Sequence, residues 1–101
     1  MKFDPAEKID NETAHKIIRE IVSGGTLILS RHAKERMKER GYSTHDVETI
    51  LLHGEIIKKE LNSKTNNWLY TINGSTLDGD DGSVVIAIIK RMSSIVVTVL
   101  G

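Results

Sequence analysis

Residues 83–100 read SVVIAIIKRMSSIVVTVL, the pattern of two buried strands joined by a short turn. Two near-continuous apolar runs, 83–89 and 95–100, flank a turn around residues 91–93. Their β-branched content favours strands, and apolarity on both sides predicts central ones. Neither run approaches the ~20 apolar residues of a membrane helix. A hairpin-length connection favours antiparallel pairing. Upstream, Trp68, Tyr70 and Ile72 alternate with Leu69 and Thr71, so the first three share one face of a third strand. A Gly/Asp-rich loop is expected over residues 73–82. The polar turn NSKTNN, 62–67, leads back to a further strand at 55–61. These four strands follow one another in meander order.

The preceding half reads as helices. Residues 5–22 form a first helix, with Pro5 in its first turn and Asp4 as N-cap. Ile9, Ile17, Ile18, Ile21 and Val22 supply its apolar stripe, and Gly24-Gly25 stops it. A short β-like run covers 26–29. Ser30 caps a second helix that buries Ala33 and Met37 and ends at Gly41. Ser43 caps a third, with Asp46 completing a variant capping box and Val47, Ile50 and Leu51 on the buried face. Gly54 closes it. The expected class is α+β, with helices covering one face of an antiparallel sheet.

The totals agree with one domain over residues 1–101. Apolar residues make up 39% and charged residues 28%, an ordinary globular mixture. Without cysteine there is no disulfide and no zinc–thiolate site. The segment MKFDPAEKID has no apolar run of the signal-peptide kind. A cytoplasmic protein with no membrane partner is expected.

Net charge is zero, but it is unevenly placed. Residues 31–40 hold five cations, Arg31, Lys34, Arg36, Lys38 and Arg40, against Glu35 and Glu39. Asp78, Asp80 and Asp81 carry much of the balance. Residues four apart on a helix stack, so His32, Arg36 and Arg40 form one stripe. Ala33 and Met37 lie about 100° round, which puts the stripe at the boundary between core and water. One imidazole with two guanidiniums suits a phosphate. A plain solvated face is the rival reading, with Glu35 and Glu39 pairing with Arg31, Lys38 or Arg36, and spacing alone favours it. A third reading pairs the stripe with the acidic loop 78–81 inside the fold. His15, His45 and His53 lack metal-ligand spacing, and DGDDGS lacks the frame of a calcium loop. No metal and no cofactor is expected.

One string is more specific. Ser30-Arg31-His32-Ala33, Arg36-Met37, Arg40-Gly41, Asp46-Val47 and Gly54-Glu55-Ile56-Ile57 resemble a bacterial domain family of unknown function. That family carries the pattern SxHAxxRMxxRG, and the resemblance runs from the first helix to the C-terminus. The family looks like the RelE/MqsR-like toxins and the wider barnase–EndoU–colicin–RelE ribonuclease fold. That likeness implies N-terminal helices on a curved antiparallel sheet of four to five strands. It also implies a metal-independent endoribonuclease toxin of a type II toxin–antitoxin pair, with RNA and a cognate antitoxin protein as partners. By the resemblance His32, Arg36 and Tyr70 are the catalytic candidates. Arg40, Lys90 and Arg31 are the candidates for binding RNA phosphate. Relatives often end the last strand on an aromatic, whereas this chain reads Val97-Thr98-Val99-Leu100-Gly101. The alternative is a non-catalytic RNA- or protein-binding module on the same fold. Apolar residues on the last two strands also leave room for a homodimer.

Overall fold

A computed structural model describes residue 4 and residues 6–100 of the chain. Three helices, α1 (Asn11–Gly24), α2 (Arg31–Arg40) and α3 (Thr44–His53), pack with five strands. The strands are β1 (Thr26–Leu29), β2 (Glu55–Asn62), β3 (Asn67–Ser75), β4 (Asp81–Lys90) and β5 (Ser93–Leu100). The sheet order is β1-β5-β4-β3-β2.

The expected antiparallel meander is β2 through β5. The fifth strand departs from the all-antiparallel expectation: β1 pairs parallel with β5, in register Thr26↔Ser93 to Leu29↔Val96. A parallel pair needs a long crossover, and everything from α2 to β4 lies between the two strands. The sheet is mixed and stays open, with β1 and β2 at its edges. Register shifts at Ile57, Ile89 and Val97 put bulges into β2, β4 and β5, which bend and twist those strands.

Helix α1 starts later than the sequence reading. Its N-cap is Asp10, whose carboxylate accepts the Thr13 N–H at 2.7 Å. The carbonyls of Ala6 and Ile9 are taken by the Trp68 indole N–H, 3.0 Å, and the Lys59 ammonium, 2.9 Å. Residues 6–10 therefore lie over the β2–β3 side of the sheet instead of continuing the helix. Asp4 accepts the Ala6 N–H, closing only a local turn. The expected role of Pro5 lies outside the described residues. The 73–82 loop is also shorter than expected. Strands β3 and β4 stay paired to Ser75↔Asp81, and residues 76–80 make the turn. Thr76 closes it, donating N–H to the Asp80 carbonyl and accepting the Asp80 N–H on its hydroxyl.

One face of the sheet carries the core. Tyr70, Ile72, Val84, Ile86, Ile88, Val96 and Val99 meet Ala14, Ile17, Ile18 and Ile21 of α1. Ala33 and Met37 of α2 and Val47, Ile50 and Leu51 of α3 complete it. The spacing of the α1 residues is the i, i+3, i+4, i+7 stripe of a helix with one buried side. Trp68, Tyr70 and Ile72 do share a face, the covered one, with Trp68 half-buried at its margin. Among the described residues no helix is long and apolar enough to cross a membrane.

The Ser43–Asp46 capping box forms as read. Ser43 Oγ accepts the Asp46 N–H, and Asp46 Oδ2 accepts the Ser43 N–H at 2.8 Å. Asp46 Oδ1 also accepts the Leu77 N–H at 3.0 Å, tying the β3–β4 turn to α3. These backbone donors from Ser43 and Leu77 hold the Asp46 carboxyl below its ordinary value of 3.8. A lowered folded-state pKa stabilises the fold only while the carboxylate is charged. The contribution is complete above the ordinary value and is lost as pH falls through the lower folded one. Denaturation midpoints of the wild type are expected to drop in that acid window. Asp46→Asn should be less stable at neutral pH and show a shallower acid decline. Parallel pH profiles for the two proteins would contradict this role.

Candidate nucleic-acid interface

The basic segment folds as α2 because both ends are fixed locally. Ser30 has extended backbone, and its Oγ accepts the Ala33 N–H at 3.0 Å. The same hydroxyl donates to the Val97 carbonyl, and the Ser30 N–H donates to the Val96 carbonyl. The helix is thus nailed to β5 at its bulge. At the other end Gly41 takes φ +72°, a conformation glycine adopts without steric cost. The Tyr42 N–H reaches back to the Met37 carbonyl at 2.8 Å, closing a Schellman turn.

Ala33 and Met37 are buried against the core, so the rest of α2 faces outward. Arg31, His32, Lys34, Lys38 and Arg40 are exposed. Arg36 is intermediate, its side chain 31% exposed, and it pairs with Glu39 at 3.2 Å. This is the only salt bridge that α2 makes among the described residues. The internal-pairing reading therefore fails for the described residues: Asp78, Asp80 and Asp81 make no ion pair with α2. Helix α2 also has no acid in its first turn, where Arg31 adds to the positive end of the helix dipole. His32, Arg36 and Arg40 share one stripe of α2, but only Arg36 sits at the boundary between core and water, where it is engaged by Glu39; His32 and Arg40 are exposed.

Two of the six site residues lie away from the α2 surface. Tyr70 pairs with Ile86 and Lys59 in mid-sheet on the covered face. It is 2% exposed, and burial pushes its phenol pKa up. A ring so enclosed has no face free to meet RNA. Lys90 is exposed at the β4–β5 turn, opposite Ser93. Helix α2 is anchored at Val96 and Val97 and runs away from that turn toward Gly82, so Lys90 sits at the other end of β5. Arg31 does share the α2 surface.

Tyr42 was missed. It occupies the position after the C′ glycine, where an apolar contact commonly completes the Schellman turn. Its hydroxyl lies against the Gly82 backbone and is buried without a hydrogen-bond partner among the described residues. Burial raises its pKa; Asp81, Asp46 and Asp80 push it the same way, and Arg40 opposes them. Tyr42 thereby locks the end of α2 onto the start of β4.

Cavities lie elsewhere. A groove of about 510 Å³ runs along Thr49, His53, Asn73 and Thr76, and one of about 300 Å³ along Glu12, His15, Arg19 and Ile56, with Glu55 lining both. The His15 and Arg19 side chains donate to the Leu51 and Leu52 carbonyls, capping the end of α3. No α2 residue lines either groove. A convex cationic helix suits an extended polyanion better than a small molecule, which needs a concave site.

No curated protein and no solved structure matches the chain. A family model described as "Domain of unknown function (DUF4258)" matches residues 29–100, from the end of β1 through α2, α3 and the meander. That span covers most of the chain and contains the whole basic helix, and the chain therefore belongs to the DUF4258 family.

Proposed function

We propose that the outer face of α2 binds the phosphates of RNA and that the protein is a metal-independent endoribonuclease of the toxin class, acting in the cytoplasm with an antitoxin as its protein partner. The observation that carries the RNA reading is the exposure of α2: of its five cations, only Arg36 is paired among the described residues. The nuclease and toxin steps rest on the likeness of the family that SRHAKERMKERG resembles to RelE/MqsR-like toxins.

In this reading Arg36 and Arg40 grip phosphate oxygens, and Arg31 extends the cationic track. The substrate's 2′-oxygen attacks the adjacent phosphorus, the 5′-oxygen leaves, and a 2′,3′-cyclic phosphate remains. His32 is exposed and has no hydrogen bond among the described residues, so its imidazole is free to take the 2′-hydroxyl proton or to give one to the leaving oxygen. The guanidiniums offset charge as it develops on phosphorus. Arg36 is the better placed of the two, because Glu39 already orients its planar fork.

A specific observation favours a second reading, a non-catalytic RNA-binding module. Tyr70 is buried, which leaves His32 as the one proton-transfer candidate among the catalytic residues, while the reaction calls for both an acid and a base. Incubation of the protein with single-stranded RNA in chelator separates the two. The nuclease reading expects cyclic-phosphate products and a loss of about 100-fold or more on His32→Ala. Full activity of both His32→Ala and Arg36→Ala would remove these residues from the chemistry. Salt-sensitive binding with no product would leave the module.

A further inference from the structure

The two edges of the sheet are built differently. Strand β2 carries Lys58, Lys59 and Glu60 and a bulge at Ile57, features that discourage a further strand. Strand β1 reads Thr26-Leu27-Ile28-Leu29, with no charge, proline or bulge. The Thr26 N–H donates to the Met92 carbonyl and the Ser30 N–H to the Val96 carbonyl, so residues 26, 28 and 30 turn toward β5. By alternation Leu27 and Leu29 turn their N–H and C=O groups outward, where the sheet ends. Among the described residues no backbone bond outside the ladder reaches them.

We propose that β1 pairs antiparallel with β1 of a second copy of this chain, about a two-fold axis at Ile28. Outward groups must meet outward groups, and one register uses both leucines twice: Leu27 opposite the second copy's Leu29, and the reverse. Ile28 then faces its own counterpart in a non-hydrogen-bonded pair. Ile28 is 43% exposed on the helix-free face, at the end of a cross-strand row formed with Ile95, Ala87 and Leu69. The pairing continues that row into the second copy and makes one ten-stranded sheet from two five-stranded ones.

Charge complementarity selects a second copy over an unrelated strand. Helix α1 ends at Gly24 with no basic residue in its last turn, and the nearby Arg91 is engaged by Glu20. Just past the strand, the same two-fold brings Arg31, the first residue of α2, to the level of the second copy's Gly25, near that end. A cation there is favourable for the helix dipole, and Arg31 makes no salt bridge of its own among the described residues. The two-fold supplies the match twice. The pairing does not depend on the RNA reading, although it would set two α2 helices on one side of a common sheet.

The chain has no cysteine, so a single one introduced at the axis is unique. Cα atoms of a non-hydrogen-bonded antiparallel pair lie about 4.5 Å apart, within disulfide range. Ile28→Cys is expected to cross-link to a dimer under oxidised glutathione at dilution. Ile57→Cys, on the guarded edge, should stay monomeric. In sedimentation equilibrium the wild type should show a concentration-dependent dimer. Ile28→Lys, which sets like charges opposite each other, should shift it to monomer with its thermal midpoint at dilution unchanged. Arg31→Glu should weaken the dimer several-fold. A wild type that stays monomeric at every concentration overturns the proposal. So does a dimer indifferent to Ile28→Lys, or equal cross-linking at positions 28 and 57.

Discussion

Gly54→Ala is expected to lower unfolding free energy by about 3 kcal/mol or more, a large share of the roughly 5–15 kcal/mol that holds a domain together. The backbone angle is not the reason, because Gly54 has φ −78°. Space is. A Cβ there would lie 2.5 Å from the Asn73 carbonyl oxygen, 2.6 Å from the Ile50 carbonyl oxygen and 2.9 Å from Ile72 Cγ2. Two of these atoms are main chain, in β3 and at the end of α3, and neither can rotate away. Relief requires lifting α3 from the sheet, which would uncover Ile50 and Leu51, both fully buried. Gly24→Ala is the matched control: a Cβ at Gly24 meets nothing within 4 Å. A helical Gly→Ala change is neutral to stabilising by up to about 1 kcal/mol. Urea midpoints of the two variants should therefore move apart. Equal midpoints would mean that the junction of α3 and β2 is looser than these contacts imply.

The double variant Arg36→Ala/Arg40→Ala is expected to weaken single-stranded RNA binding on the order of a hundredfold, since charge-assisted contacts are worth roughly 1.5–3 kcal/mol each. Its clearest mark is the salt dependence. Each lost phosphate contact reduces the slope of log K against log salt by about 0.7 for a single strand, so the slope should flatten by about 1.4. Stability should change little, because Arg40 is exposed and the Arg36–Glu39 pair is a surface pair. A weaker complex with an unchanged slope would mean that the arginines act through shape instead of phosphate charge.

Legibility in the sequence followed the range of the forces involved. Ser30, Gly41, Ser43 and Asp46 were readable because each cap acts within three or four residues. The hairpin of β4 and β5 was readable because its apolar runs exceed what one sheet face can bury. The start of α1 was not. Ala6 and Ile9 are held by Trp68 and Lys59, 62 and 50 positions away, and no local pattern records those bonds. The parallel seat of β1 on β5 was hidden for the same reason. At the candidate site, helical geometry alone brings His32, Arg36 and Arg40 together. The face of Tyr70 was legible, but not that the helices cover this face. Lys90 was a strand-end cation whose distance from α2 depends on which end of β5 the helix is anchored to. Tyr42 was visible only as the residue after a C′ glycine.

In the proposed complex RNA meets the outer face of α2. Amide chemical shifts of the labelled protein, followed as single-stranded RNA is added in chelator, test it most directly. The largest shifts are expected on residues 31–41 and on the His32 imidazole, and they should fade at high salt. Shifts concentrated along the Thr49–Thr76 groove or on β2, with α2 unmoved, would contradict it.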